Sequence, residues 1–210
     1  MKVLDLFAGE GGWSAYAKDA GHDVITVDYS DKFDTTFRHD LRDAYGLTVL
    51  LDGWQPDIIL ASPPCEGFTV MNIGKNWEYD LTPKSPTAKT AIETAMGAIK
   101  AIDIIKPTFW VIENPRGMMR KMPWMQDYER RTVTYCQLGE QRMKPTDLWG
   151  TFPPSLVLPE PCKNGDPCHV RAPRGTKTKN STQGIKGASK RALVPYELSR
   201  LVIQAAERDI

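Results

Sequence analysis

Lys2-Val-Leu-Asp-Leu-Phe7 runs straight into Ala8-Gly9-Glu10-Gly11-Gly12, and Trp13-Ser-Ala-Tyr-Ala-Lys-Asp-Ala20 and His22-Asp-Val-Ile-Thr-Val-Asp28 follow. A short apolar run, a glycine turn, a helix-like stretch closed by Gly21 and a second apolar run spell strand, turn, helix, strand. That opening predicts a βαβ unit and an α/β fold. Glycines are needed where a chain turns tightly or where its backbone approaches a ligand, and the helix start behind them offers free N–H groups to an anion. Asp28, closing the second run, stands where such folds put an acid that grips ribose hydroxyls. Only the turn spacing, F-x-G-x-G instead of the G-x-G-x-x-G of pyrophosphate binders, separates a dinucleotide from another adenosyl ligand.

Working outward, Thr36-Phe37 reads as a short third strand and Leu41 to Leu51 as a helix weakened by Gly46. The apolar run Asp57-Ile-Ile-Leu60 stops at Ala61-Ser-Pro-Pro-Cys65-Glu-Gly-Phe68, where two prolines fix φ and hold Cys65 in a defined position. Val70 to Lys84 has no clear period, and a polar loop of that length beside a candidate nucleophile reads as a functional lid. Ser85-Pro86 then opens the best helix of the chain, with Ile92, Ala95, Met96, Ile99, Ile102 and Ile105 predicted as its core face. Thr108-Phe-Trp-Val-Ile-Glu-Asn114 is a further buried strand, finishing in Glu113-Asn114-Pro115. Glu129 to Leu138 and Thr146 to Trp149 read as the last strands, and Val194 to Arg208 as a helix packing through Leu198, Leu201, Val202 and Ala205. Open parallel sheets build their sites outside the carboxyl ends of the strands, so the glycine turn, Cys65 and Glu113 are expected to share one crevice.

At 210 residues the chain is about one domain long, and 27 basic against 26 acidic residues leave a net charge of +1. Overall charge therefore singles out no partner. Four cysteines are too few for a disulfide scaffold, and no signal-like segment or run of about 18 apolar residues occurs. The expected setting is the cytoplasm, that of the host if a phage encodes the chain, with reduced thiols.

Asp5-Leu-Phe7-Ala-Gly9-Glu-Gly11-Gly, Ser62-Pro-Pro-Cys65-x-x-Phe68 and Glu113-Asn-Pro, taken in that order, resemble the DNA (cytosine-5)-methyltransferases, most of all the short versions that phages encode. The resemblance covers residues 1 to about 150. It implies a Rossmann-like S-adenosylmethionine-dependent methyltransferase fold, with a mostly parallel seven-stranded sheet, one antiparallel strand and helices on both faces. By the same resemblance Phe7, Ala8, Gly9, Gly11, Gly12 and Pro63 would line the cofactor, Asp28 its ribose and Asp40 its adenine. Cys65 would attack C6 of cytosine, Glu113 would meet N3 and N4, and Arg142 would hold the base and the Glu113 carboxyl. The chemistry fits those residue types. Cytosine C5 is too weak a nucleophile to take a methyl group until a thiolate has added at C6, and protonation or strong hydrogen bonding at N3 pushes electrons the right way. A base in duplex DNA must leave the stack to reach such a crevice, so a flipped cytosine is the expected substrate.

Three departures from the family pattern stand out. Glu66 replaces a usual Gln, the Q-x-R-x-R motif is reduced to Glu140-x-Arg142-x-Lys144, and no Gly-Asn-Ser lies near the carboxyl terminus, where the helix from Val194 fills in. The large recognition domain is also missing. The expected organisation is a catalytic domain over 1–150, a reduced recognition segment over 151–190 and a helix over 191–210 packing back. Lys163 to Arg191 carries many basic residues and the single acid Asp166, a charge pattern suited to nucleic acid. Phe68, Lys144, Arg171, Arg174, Lys177 and Lys179 are the expected contacts, with an assisting protein as a further partner. Cys162, Cys168 and His169, with Cys136 as a fourth candidate, are residues of the zinc-ligand type. Their C-x5-C-H spacing is unlike a standard finger and neighbouring ligands are awkward, so unliganded cysteines are the expectation. Methylation of RNA or of a free nucleotide, and binding of cofactor and DNA without turnover, are the competing functions.

Overall fold

The computed structural model describes residues 1–170 and 188–210. In chain order the regular elements are β1 (Lys2–Leu6), α1 (Ala15–Asp19), β2 (Asp23–Asp28), β3 (Phe37–Arg38), α2 (Ala44–Leu51), β4 (Ile58–Ala61), α3 (Ile73–Asn76), α4 (Pro86–Ile105), β5 (Phe109–Pro115), β6 (Arg130–Thr134), β7 (Pro145–Thr151), α5 (Ala188–Ala192) and α6 (Tyr196–Asp209). The strands form one sheet in the order β3-β2-β1-β4-β5-β7-β6. All neighbouring pairs are parallel except those of β7, which runs antiparallel to β5 and to β6. The expected mostly parallel, seven-stranded α/β sheet with one antiparallel strand is therefore present.

Side chains alternate across each strand, so β1 and β4 feed two cores. Leu4, Leu6, Ile59 and Ala61 face the layer of α2 and α4, while Val3, Ile58 and Leu60 face that of α1 and α6. The register pairs Leu6 with Val27 and with Ala61, and Ala61 with Ile112. The carboxyl ends of β1, β2, β4 and β5 thus lie along one edge, where the glycine turn, Asp28, the Pro-Pro-Cys loop and Glu113 all emerge.

Helix α4 begins as its sequence predicts: the Ser85 hydroxyl accepts from Ala88 N–H and Pro86 takes the first position. Its core face is different. Ala88, Ala91, Ala95, Ala98 and Ala101 are buried with Ile102 and Ile105, whereas Met96 is exposed and Ile92 and Ile99 are half-buried. Small residues let the helix lie close to its neighbours, and a methyl on Gly97 would collide with the Leu41 carbonyl oxygen. Close approach has overridden side-chain size.

The strand expected over 129–138 ends at Thr134, and Tyr135 to Leu138 form a 3-10 turn closed by Gly139 at φ 88°. Residues 70–84 are more ordered than a plain loop. Trp77 is buried and donates its indole N–H to the Gly67 carbonyl at 2.7 Å, and Asn76 donates to the Glu66 and Gly67 carbonyls. The apex of this segment stays in solvent, with Val70, Met71 and Tyr79 exposed.

Asp5 is fully buried on β1, where one carboxylate oxygen accepts from Ser14 N–H at 3.1 Å and the other has no partner among the described residues. Loss of hydration pushes its pKa up to about 7. The neutral carboxyl is thus the form the fold prefers. Between about pH 4 and pH 7 the unfolded chain releases this proton and the folded one keeps it, so stability falls as pH rises through that window. The shift corresponds to on the order of 4 kcal/mol. Urea unfolding at pH 4.5 and pH 7.5 is expected to show a smaller pH slope in Asp5→Asn than in the parent; equal slopes would count against this assignment.

Candidate active site

Two connected hollows lie along the carboxyl edge of the sheet. A cavity of about 180 Å³ is lined by Phe7, Ala8, Gly9, Gly12, Trp13, Asp28, Ser62, Pro64 and the Leu193-Val194 backbone region. A wider one of about 410 Å³ runs past Asp40, Arg42, Glu66 and Thr87, and shares Phe7, Tyr29 and Pro64 with the first. Phe7 takes the left-handed conformation at φ 61°, which costs a non-glycine residue on the order of 1–3 kcal/mol and is tolerated where a site demands it. The turn is pinned by Gly9 N–H to an Asp28 carboxylate oxygen at 3.0 Å, and Ser30 N–H holds the other oxygen at 2.9 Å. A methyl on Gly12 would sit 2.8 Å from both N and O of Val194, so only glycine lets the chain before α6 close over the turn. Arg142 secures that closure by donating to the Arg191 carbonyl at 3.1 Å.

Two buried polar atoms on this cleft, Ser62 Oγ and Trp13 Nε1, have no partner among the described residues. Buried donors and hydroxyls left open in this way suit a polar ligand. With the Asp28 carboxylate, they match the amino-acid and ribose ends of an adenosyl-amino-acid cofactor. Sequence reasoning missed Trp13, which reads there only as a helix residue. Several expected lining residues occupy other places. Pro63 is buried and uses its carbonyl to accept from the Asn114 amide at 2.9 Å, so Pro64 faces the cleft in its stead. Gly11 borders a separate outer hollow with Lys18, whereas Asp40 does line the wider hollow, with both carboxylate oxygens 3.0 Å from Arg42 Nε. That ion pair holds the Asp40 carboxyl below its ordinary range.

Cys65 and Glu113 converge as their strands predict. The Cys65 carbonyl accepts from Phe68 and Thr69 N–H, the Asn114 amide ties the Pro-Pro segment to β5, and Met118 N–H bonds the Phe68 carbonyl at 2.7 Å. Burial pushes the Cys65 thiol up, the Glu113 carboxylate adds to that, and the Lys144 ammonium opposes it. Glu113 is buried, accepts from the Tyr135 hydroxyl at 2.8 Å and lies 3.7 Å from Lys144 Nζ. Lys144 Nζ sits 4.1 Å above the Tyr135 ring, an added cation–π contact. Burial pulls the Lys144 pKa down while Glu113 supports its charge. Tyr135, buried beside a carboxylate, is held well above the ordinary phenol range and stays a donor.

The resting thiol is therefore protonated near neutral pH. Iodoacetamide labelling of Cys65, read by peptide mapping, is expected to rise with pH with a midpoint above that of an ordinary thiol. In Glu113→Gln, which removes one repelling charge, labelling at pH 8 is expected to be faster. Labelling of the parent at pH 7 as fast as that of a free small thiol would overturn this picture.

The carboxyl's partners differ from those expected. Arg142 pairs with Glu140 at 2.9 Å and with backbone carbonyls, and Tyr135 and Lys144 take the place beside Glu113. Lys144 adopts φ 28° where the chain enters β7, and its Nζ reaches Glu113 and the Tyr135 ring from there. Lys144, expected to contact nucleic acid, is half-buried against Glu113 and Tyr135. Phe68 was expected there too, but it is fully buried, with its ring 6.0 Å from that of Trp77 and 6.4 Å from that of Trp124. Arg171, Arg174, Lys177 and Lys179 lie outside the described residues. No helix among the described residues is long and apolar enough to cross a membrane.

Residues 1–123 match the family model described as C-5 cytosine-specific DNA methylase. The type II methyltransferase M.AplI of Arthrospira platensis is 32% identical over 125 residues, which span 58% of this chain and 33% of that protein. Type II methyltransferase M.HgiGI of Herpetosiphon aurantiacus is 27% identical over 124 residues, 54% of this chain and 90% of that one. Among solved structures, a candidate DNA modification methyltransferase encoded in a prophage of E. coli superposes with a TM-score of 0.49 at 18% identity, over 71% of this chain and 46% of its own. The chain thus spans a third of the length of the first of these relatives and under half of that solved structure.

Proposed function

The chain belongs to the C-5 cytosine-specific DNA methylase family, and on that premise we propose that it methylates C5 of cytosine in DNA through a covalent Cys65 adduct at C6. The observation that carries this reading is that the loop of Cys65 after β4 and the Glu113–Lys144 pair, 3.7 Å apart at the end of β5, emerge at the same sheet edge as the adenosyl-type cleft, which Pro64 lines. S-adenosylmethionine is the cofactor of this family, and when bound it supplies an electrophilic methyl on a sulfonium. Phe7, Gly9, Trp13, Asp28, Ser62 and Pro64 are the residues that would hold it.

Glu113 is set to hydrogen-bond the N3 and N4 edge of a cytosine, with Tyr135 O–H and Lys144 fixing the carboxyl from behind. As Glu113 shares its charge with the base, the repulsion that keeps Cys65 protonated falls and the Lys144 ammonium favours the thiolate. Sulfur then bonds C6, electron density moves toward N3 and C5, and C5 becomes the nucleophile. Once C5 carries the methyl group, water accepts the C5 proton, the C5–C6 double bond re-forms, and sulfur leaves with the C–S electrons as a thiolate that regains from solvent the proton given up on activation. Coupling activation to base binding leaves a quiet cysteine in the free protein. The segment carrying exposed Val70, Met71 and Tyr79 stands beside this crevice as the lid over a base taken out of the stack. Residues 151–190 are the reduced recognition segment, with residues 1–150 catalytic.

The direct test supplies labelled S-adenosylmethionine with duplex DNA, single-stranded DNA, RNA or dCMP. Labelled 5-methylcytosine is expected in duplex DNA. Label in RNA or dCMP alone would move the substrate, and its absence from all four would defeat the enzyme reading.

A further inference from the structure

Away from the catalytic crevice, four ligand-type side chains meet. Cys136 lies in the 3-10 turn after β6, and Cys162, Cys168 and His169 come from the irregular stretch that follows β7. Their three sulfurs and one ring nitrogen all lie within 4.8 Å of one another. A zinc ion held at about 2.3 Å from sulfur and about 2.0–2.1 Å from nitrogen defines a tetrahedron with edges of about 3.8 Å between sulfurs and about 3.6 Å from sulfur to nitrogen. The observed edges are 3.7 Å from Cys168 to Cys136, 3.6 Å from Cys162 to His169 Nδ1 and 3.5 Å from Cys168 to His169 Nδ1. Cys136 and Cys162 are nearer, at 3.1 Å, yet this is far beyond the 2.03–2.05 Å of a disulfide, and all four cysteines of the chain are free. Neighbouring residues 168 and 169 do both reach the centre, which removes the objection raised by their spacing.

The surroundings give such an ion a purpose. Residues 152–170 contain no helix or strand, so no backbone ladder holds them. Residues 152–158 are fastened by buried Phe152 and Leu156, by Ser155 to Asp209 and Ala205, and by Arg131 to the Leu156 carbonyl, whereas residues 162–170 reach the rest of the described chain through Cys162 N–H to Thr134 Oγ1 at 3.0 Å and Val170 N–H to the Gln141 carbonyl at 2.8 Å. A small region poor in apolar contacts is the kind that a metal staples. Cys136 also adjoins Tyr135, whose hydroxyl holds Glu113, and Gln141 adjoins Arg142.

We propose that Cys136, Cys162, Cys168 and His169 Nδ1 bind one structural Zn²⁺ as a closed Cys3His tetrahedron that fastens residues 162–170 to the turn after β6. Binding replaces three thiol protons, which pass to solvent, and leaves His169 neutral with its proton on Nε2. No position remains for water, so the ion is structural and not catalytic.

Metal analysis of the full chain, purified from zinc-supplemented medium without chelators, is expected to give about one zinc per chain. Exchange with Co²⁺ is expected to produce thiolate-to-cobalt charge transfer and the intense visible bands of a tetrahedral site. Cys162→Ser removes a buried ligand and risks misfolding, so exposed Cys168→Ser is the companion variant; it is expected to fold and to lose those bands or most of the metal. Cys65→Ser, which is no member of the cluster, is expected to retain a full equivalent. Zinc below about half an equivalent with no tetrahedral cobalt spectrum would overturn the proposal. So would an intramolecular Cys136–Cys162 disulfide found by mass in the fresh protein, or undiminished metal in Cys168→Ser. None of these readouts depends on methyl transfer.

Discussion

Serine in place of Cys65 is expected to lower methyl transfer by on the order of 10⁴–10⁶-fold, the size of effect seen when a covalent nucleophile is removed. A hydroxyl is nearly isosteric with the thiol but far less acidic, so the charge environment that controls a thiolate has nothing to act on. Because Cys65 is held by backbone bonds through its carbonyl and through the Asn114 amide on Pro63, the loop geometry does not depend on sulfur. Binding of S-adenosylhomocysteine by calorimetry is therefore expected to change less than threefold, about 0.6 kcal/mol. Duplex DNA carrying 5-fluorocytosine is expected to form a stable adduct with the parent and none with the variant. An adduct that persists without the thiol would remove Cys65 from the chemistry.

Glu113→Gln is the second large effect, an expected loss of on the order of 10²–10⁴-fold in kcat from the missing acid–base group at N3. The variant separates chemistry from packing. Glu113 and Lys144 form a largely buried pair, their side chains 4% and 13% exposed. Removing one charge strands the other, at a cost on the order of 3–5 kcal/mol. Glutamine can still accept from Tyr135 O–H, so the loss of stability is ascribed to the uncompensated Lys144. Glu113→Gln/Lys144→Met is then expected to regain thermal stability without regaining activity. Recovery of turnover in the double variant would show that Glu113 serves only as a counter-ion.

These variants also define how far the site extends. A reading confined to the motifs assigns the carboxyl's support to Arg142. The structure gives that task to Tyr135 and Lys144, while Arg142 ties the chain before α6 down over the glycine turn through the Arg191 carbonyl. Tyr135 had no sequence signal beyond lying in an alternating stretch that read as strand. Its hydroxyl enters the site because the strand stops at Thr134 and a 3-10 turn rotates the next side chain inward.

By itself the sequence determined the sheet and where the candidate site residues leave it. Apolar runs broken by Gly-rich, Pro-Pro-Cys and Glu-Asn-Pro segments mark strand ends, and parallel connections bring those ends to one edge whatever the helices between them do. Local patterns sufficed because strand period, glycine turns and helix caps act over a few residues. Tertiary structure alone decided which side chains touch. It buried Phe68 under Trp77 and Trp124, turned Pro64 and not Pro63 to the cleft, and packed α4 through alanines while leaving Met96 in solvent. It also drew Cys136 to Cys162, Cys168 and His169 across a gap of 26 residues and the whole of β7. Contacts of that kind depend on close approach between distant backbones, which no local period encodes.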